Sequence, residues 1–112
     1  MRIDERTAVA RVTRVTLREL RVWVREGWVR PAQGAAGPMF DDLDLARIEL
    51  LCDLRKEMAL PAEAVPTVLA LLDNLHRTRR DLRRLTRALE VQPREVRQAV
   101  LAALRQEAGG DG

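Results

Sequence analysis

Two sets of charged side chains in this chain are spaced so that each could act as a unit. Arg18, Arg21 and Arg25 recur every three or four residues, which lines three guanidinium groups along one side of a helix, and Arg14 lies four residues ahead of them in the preceding turn. Such a row suits phosphate oxygens or guanine edges in a DNA major groove. Glu49, Asp53 and Glu57 recur every fourth residue as an acidic stripe, with Asp41, Asp42 and Asp44 just upstream at a helix start. Like charges at that spacing destabilise a helix by roughly a few tenths of a kcal/mol per pair, which Arg55 and Lys56 partly offset. The stripe suits a basic protein surface. Catalysis is not expected. His76 has no second histidine or cysteine within helical reach, Cys52 is the sole cysteine, and no nucleophile–base pair, glycine-rich phosphate loop or metal-ligand spacing occurs. The residues point to recognition without metal or cofactor.

The arginine row lies in the stretch TLRELRVWVREGWVRP, from Thr16 to Pro31. Thr16 followed by Glu19 is a capping-box signature, so a helix is expected to start there. Leu17, Leu20, Trp23 and Val24 give it an apolar side and Gly27 a stop. Residues 6 to 13 carry Ala8, Val9 and Val12, which predicts a short preceding helix at helix-turn-helix spacing. Arg14 falls where such a turn often has glycine. Beyond Gly27, Trp28-Val29-Arg30-Pro31 reads as an extended exit, and residues 32 to 39, with two glycines and a proline, as a loop or hairpin tip forming a wing. Asp41 or Asp42 then caps a third helix that runs to about Met58, with Leu43, Ile48, Leu51 and Leu54 inward.

Pro61 and Pro66 bracket the start of a long helix, because proline is tolerated in a first turn and rarely deeper. Within it Val68, Leu71, Leu75, Leu82, Leu85 and Leu89 follow a heptad, which predicts a short coiled coil and a homodimer interface. Gln92-Pro93 breaks the pattern. A last amphipathic helix with Val96, Val100, Leu101 and Leu104 is expected to about Gln106, then a frayed tail. The fold class is accordingly mainly α: a winged helix-turn-helix over 1–60, a helical extension over 61–107 and a disordered tail over 108–112.

The 112 residues suffice for one domain with an appendage, and oligomerisation would help complete so small a core. With Trp23, Trp28 and Phe40 as the only aromatics, that core must come from Leu, Val and Ala. A single cysteine implies a reducing, cytoplasmic setting, and the sequence contains neither a membrane-length apolar run nor a secretory leader. Net charge is +3, but the signs are segregated. Residues 1 to 30 hold eight arginines against four acids, 31 to 75 three basic groups against eight acids, and 76 to 112 nine arginines against five acids.

The run from Leu20 to Pro31, with Trp23, Glu26-Gly27, Trp28-Val29 and Pro31, resembles the signature of the MerR-type winged-helix domain. Phe40-Asp41 followed by Leu45-Ala46 and Ile48 resembles its second half. Two kinds of protein share that signature. Transcriptional regulators of the MerR type bind DNA, and here Arg14, Arg18, Arg21 and Arg25 would be the contacting set. The short CbpM-type chaperone modulators instead bind and inhibit the J-domain of a DnaJ-like, CbpA-type co-chaperone. The chain is more similar to the modulators. Met39 stands where the regulators usually have a wing arginine, Trp23 and Val24 lack a tyrosine hydroxyl, and one cysteine cannot build a thiolate metal sensor. The resemblance further implies that a J-domain offers a basic helix, for which Asp41, Asp42, Asp44, Glu49, Asp53 and Glu57 would be the docking groups.

Overall fold

The structure, a computed structural model, describes residues 1–110. Among them five α-helices and one small hairpin follow in order: α1 (Glu5–Arg11), α2 (Leu17–Arg25), β1 (Ala32–Gly34), β2 (Gly37–Met39), α3 (Asp42–Cys52), α4 (Val65–Glu90) and α5 (Arg94–Gly110). The chain divides into a first compact unit, Met1–Ala70, and a second that starts at Leu71. The first holds the winged helix-turn-helix, and Val65 and Leu69 at the start of α4 complete its core.

Side-chain caps start the helices of this unit. Asp4 accepts from the Thr7 amide at 2.8 Å and begins α1. Thr16 and Glu19 make the expected reciprocal box at α2, with bonds of 3.1 and 3.0 Å. Asp41, rather than Asp42, caps α3 and shares a second box with Asp44. Gly27, at φ +79°, ends α2 in the left-handed conformation that glycine adopts without steric cost.

The core gathers Ala8 and Val12 of α1, Val15 of the turn, Leu20 and Trp23 of α2, and Ile48, Leu51 and Cys52 of α3, closed by Trp28, Val29 and Phe40. Trp28 and Val29 differ from the extended exit expected of them. Both their amides donate to the Trp23 carbonyl, at 2.9 and 3.4 Å, so the chain wraps the end of α2 and drops two apolar side chains into the core. The hairpin itself pairs Ala32 with Met39 and Gly34 with Gly37. Ile3 pairs with Phe40 at its base through bonds of 2.8 and 2.7 Å.

Leu43, expected inward, is 81% exposed. With Asp41 as the cap, the helix phase turns Ile48, Leu51 and Cys52 to the core and leaves Leu43 outside. Past Cys52 the helix does not continue as α but widens into a π-helical segment, Asp53–Glu57, in which the Met58 amide reaches back to the Asp53 carbonyl at 2.9 Å. Ala59 follows at φ +53°, and the Leu60 amide bonds the Leu54 carbonyl at 2.7 Å. A 3₁₀ turn, Ala62–Ala64, leads into α4, and Pro66 lies in that helix's first turn.

In the second unit the heptad residues Leu71, Leu75, Leu82 and Leu85 are exposed, and so are Val96, Val100, Leu101 and Leu104 of α5. Val68, in the first unit, and Leu89 are half-buried. Helix α5 runs through Gly110, into the stretch expected to be a frayed tail from residue 108. Residues 111 and 112 of that tail lie outside the described residues. No helix among the described residues is long and apolar enough to cross a membrane.

Candidate functional site

The turn between α1 and α2 carries Arg14, and its guanidinium is the centre of the charged surface. Nη2 meets Glu49 Oε2 at 2.5 Å, while Nη1 meets Asp53 Oδ1 at 2.6 Å and Glu57 Oε1 at 2.7 Å. Nη2 also donates to the Glu49 carbonyl at 3.3 Å. The hydrogen bonds to Glu49 and then Asp53 hold the guanidinium protonated even more firmly than usual. One arginine from the predicted DNA set thus sits among three acids from the predicted protein-docking set. Three carboxylates against one guanidinium leave the cluster with an excess of negative charge. Their side chains remain 47%, 48% and 65% exposed.

Why these groups meet follows from the helix geometry. A four-residue step advances an α-helical side chain by somewhat more than one turn, so an i, i+4, i+8 stripe drifts around the axis. The π-helical segment takes more residues per turn and brings Glu57 back toward the side that faces Arg14. Lys56, from the same segment, donates to the Arg14 carbonyl and pairs with Glu19 Oε1 at 2.8 Å. Burial alone would raise the Glu19 pKa, but the bonds from Lys56 and the Thr16 amide outweigh it and keep the carboxylate below its usual range.

The other predicted residues separate. Arg21 makes a two-point contact with Glu5, Nη2 to Oε1 at 2.8 Å and Nε to Oε2 at 3.3 Å, so it ties α2 to α1. That bond lowers the Glu5 pKa and raises that of Arg21. Arg18 and Arg25 are exposed on α2. Asp41 and Asp44 serve the α3 cap: the Asp44 amide holds the Asp41 carboxylate below its usual range, whereas burial pushes Asp44 up. Asp42 is exposed beside them. The wing presents no ionisable side chain between Ala32 and Met39. Val68, Leu71, Leu75, Leu82, Leu85 and Leu89 do lie on one helix, α4.

Glu5, the pairing of Glu19 with Lys56 and the bridging role of Lys56 were missed by the sequence reading. Arg14 in a turn position that often has glycine, together with an acidic stripe too dense for its own helix, was the signal that a cation from elsewhere must serve it. Among the described residues no group of three or more His, Cys, Asp or Glu is disposed to hold a metal ion. What this surface offers is charge-directed binding.

A turn-linked helix pair, a hairpin wing and a third helix closing the core define a winged helix-turn-helix protein. Residues 2–72 match the family described as MerR HTH family regulatory protein. With well over half of its length matched, the chain belongs to that family. No curated protein and no solved structure matches it.

Proposed function

We propose that this member of the family is a CbpM-type chaperone modulator: a cytoplasmic protein that binds the J-domain of a DnaJ-like co-chaperone and inhibits it stoichiometrically. The disposition of charge around the helix-turn-helix carries this reading. A DNA reader of this shape needs cations on α2 and in the wing. Here Arg14 is paired with Glu49, Asp53 and Glu57 and Arg21 with Glu5, and the wing is uncharged. The Arg14 cluster, by contrast, keeps excess negative charge at half-exposed carboxylates. It suits a basic helix, with charge steering the encounter and apolar neighbours supplying most of the affinity.

Titration calorimetry of the full chain with a purified J-domain tests this. Glu57→Lys should weaken binding and flatten its loss with salt, while Arg25→Ala should leave it unchanged. Unaltered binding by Glu57→Lys would remove the acidic cluster from the interface. The family match, with exposed Arg18 and Arg25 on α2, favours DNA binding as the second reading. In that case Arg25→Ala weakens duplex binding and flattens its salt dependence. For either function we propose a homodimer through α4, because Leu71, Leu75, Leu82 and Leu85 are 63%, 43%, 61% and 66% exposed in one chain. Sedimentation as a monomer at tens of micromolar would exclude it.

A further inference from the structure

Beside the acidic cluster, α2 and the π-helical segment form an open cleft of about 350 Å³ lined by Arg18, Glu19, Val22, Trp23, Arg55 and Lys56. Three cations face one carboxylate there. Arg18 has no hydrogen-bond or ion-pair partner among the described residues. Arg55 is held in place by donating Nη1 to the Leu60 carbonyl at 2.6 Å. Val22, 37% exposed, and Trp23 supply apolar wall. The cleft and the acidic cluster adjoin through Lys56, which lines the one and bonds the backbone of Arg14, the centre of the other.

We propose that this cleft receives a carboxylate-bearing segment of the protein partner, so that the docking face is dipolar. The idea rests on the proposed function for the partner being a protein. A free guanidinium, two positioned cations and an apolar wall match a Glu or Asp side chain, whose methylenes lie on Val22 and whose carboxylate meets Arg18. The neighbourhood selects a protein over a nucleic acid. A nucleic-acid strand laid in the cleft would carry its next phosphates against Glu49, Asp53 and Glu57, whereas a polypeptide can place an acidic segment here and a basic one there. Opposite charges on adjoining patches also fix orientation, which a uniformly acidic face would not.

The test follows side-chain and amide resonances of the ¹⁵N-labelled full chain during titration with a hexaglutamate peptide and, separately, a short DNA duplex. The peptide should move Arg18 Nε–H, the Val22 amide and the Trp23 indole, and Arg18→Glu should abolish these shifts. Against the J-domain, Arg18→Glu should lose about tenfold in affinity, Arg18→Lys should recover most of it, and Arg25→Glu, outside the cleft, should change it less than about twofold. An Arg18→Glu protein that binds the J-domain as wild type does would overturn the cleft while leaving the proposed function standing. Loss of J-domain binding by the wild type would remove the proposed function, and the hexaglutamate titration would then decide the cleft alone. Shifts in these residues with the duplex but not the peptide would assign the cleft to phosphate and refute the proposal.

Discussion

Ala59→Gly is expected to stabilise the first unit. Ala59 sits at φ +53° just after the π-helical segment, where the Leu60 amide caps the Leu54 carbonyl. This is the helix-ending position that glycine usually takes. An L-residue there carries roughly 1–2 kcal/mol of steric cost from its Cβ. Replacing alanine by glycine also enlarges the freedom of the unfolded chain, which returns about 0.4–1 kcal/mol. The difference leaves a net gain of about 0.5–1 kcal/mol, or about 2–8 °C in Tm for a unit of this size. Urea and thermal denaturation followed by tryptophan fluorescence report on this unit, because Trp23 and Trp28 are both buried in it. The urea midpoint should rise with an unchanged slope. Ala10→Gly, in the exposed side of α1, is the control and should destabilise by about 0.5–1 kcal/mol. If both glycines lower the midpoint alike, the left-handed strain at Ala59 is not the governing effect.

Three further outcomes can be checked, the first two in the same assay. Thr16→Ala removes half of the α2 capping box and should cost about 0.5–2 kcal/mol, with Thr16→Ser restoring most of it. Acid should destabilise: the Thr7 amide at Asp4 and the Arg21 guanidinium at Glu5 hold these carboxylates below their ordinary values of 3.8 and 4.5. Lowered folded pKa values mean that the unfolded chain binds more protons, so this stability is present above about pH 4.5 and lost as pH falls below it. A urea midpoint flat from pH 6 to about 2.5 would contradict those pairings. Finally, Cys52 is fully buried in a helix and its thiol is pushed up by desolvation, so a thiol reagent should label it slowly in buffer and rapidly in urea. Fast labelling of the folded protein would show that α3 opens locally.

The local chemistry of this fold was legible from residue order. The Thr16–Glu19 box, the Gly27 stop and a hairpin in the glycine- and proline-bearing stretch each depend on a few adjacent residues. The site was harder to read, because its contacts span long separations. Arg14 reaches 35 residues to Glu49 and 43 to Glu57, and helical periodicity carries no information at that range. Periodicity also misled at Leu43, where an apolar residue next to the cap falls on the wet side. The π-helical turn was invisible for the same reason: nothing in DLRKE distinguishes it from α, and the Arg14 and Lys56 contacts that accompany it come from another element. Both charge patterns are legible in the sequence, but as separate surfaces, because their pairing is a tertiary contact that neither spacing encodes.

The wide turn at Asp53–Glu57 also works as a phase setting. One residue more or less in an α-helix rotates everything beyond it by about 100°. A widened turn absorbs such a step without breaking the helix, much as a vernier offsets one scale against another. Inserting one uncharged residue between Cys52 and Asp53, a step beyond the one the wide turn absorbs, would rotate the segment and swing Glu57 and Lys56 off Arg14. The acidic cluster and the cleft would then separate together. A length change of one residue, with every charge retained, would dismantle both patches, so their alignment is a property of spacing as much as of composition.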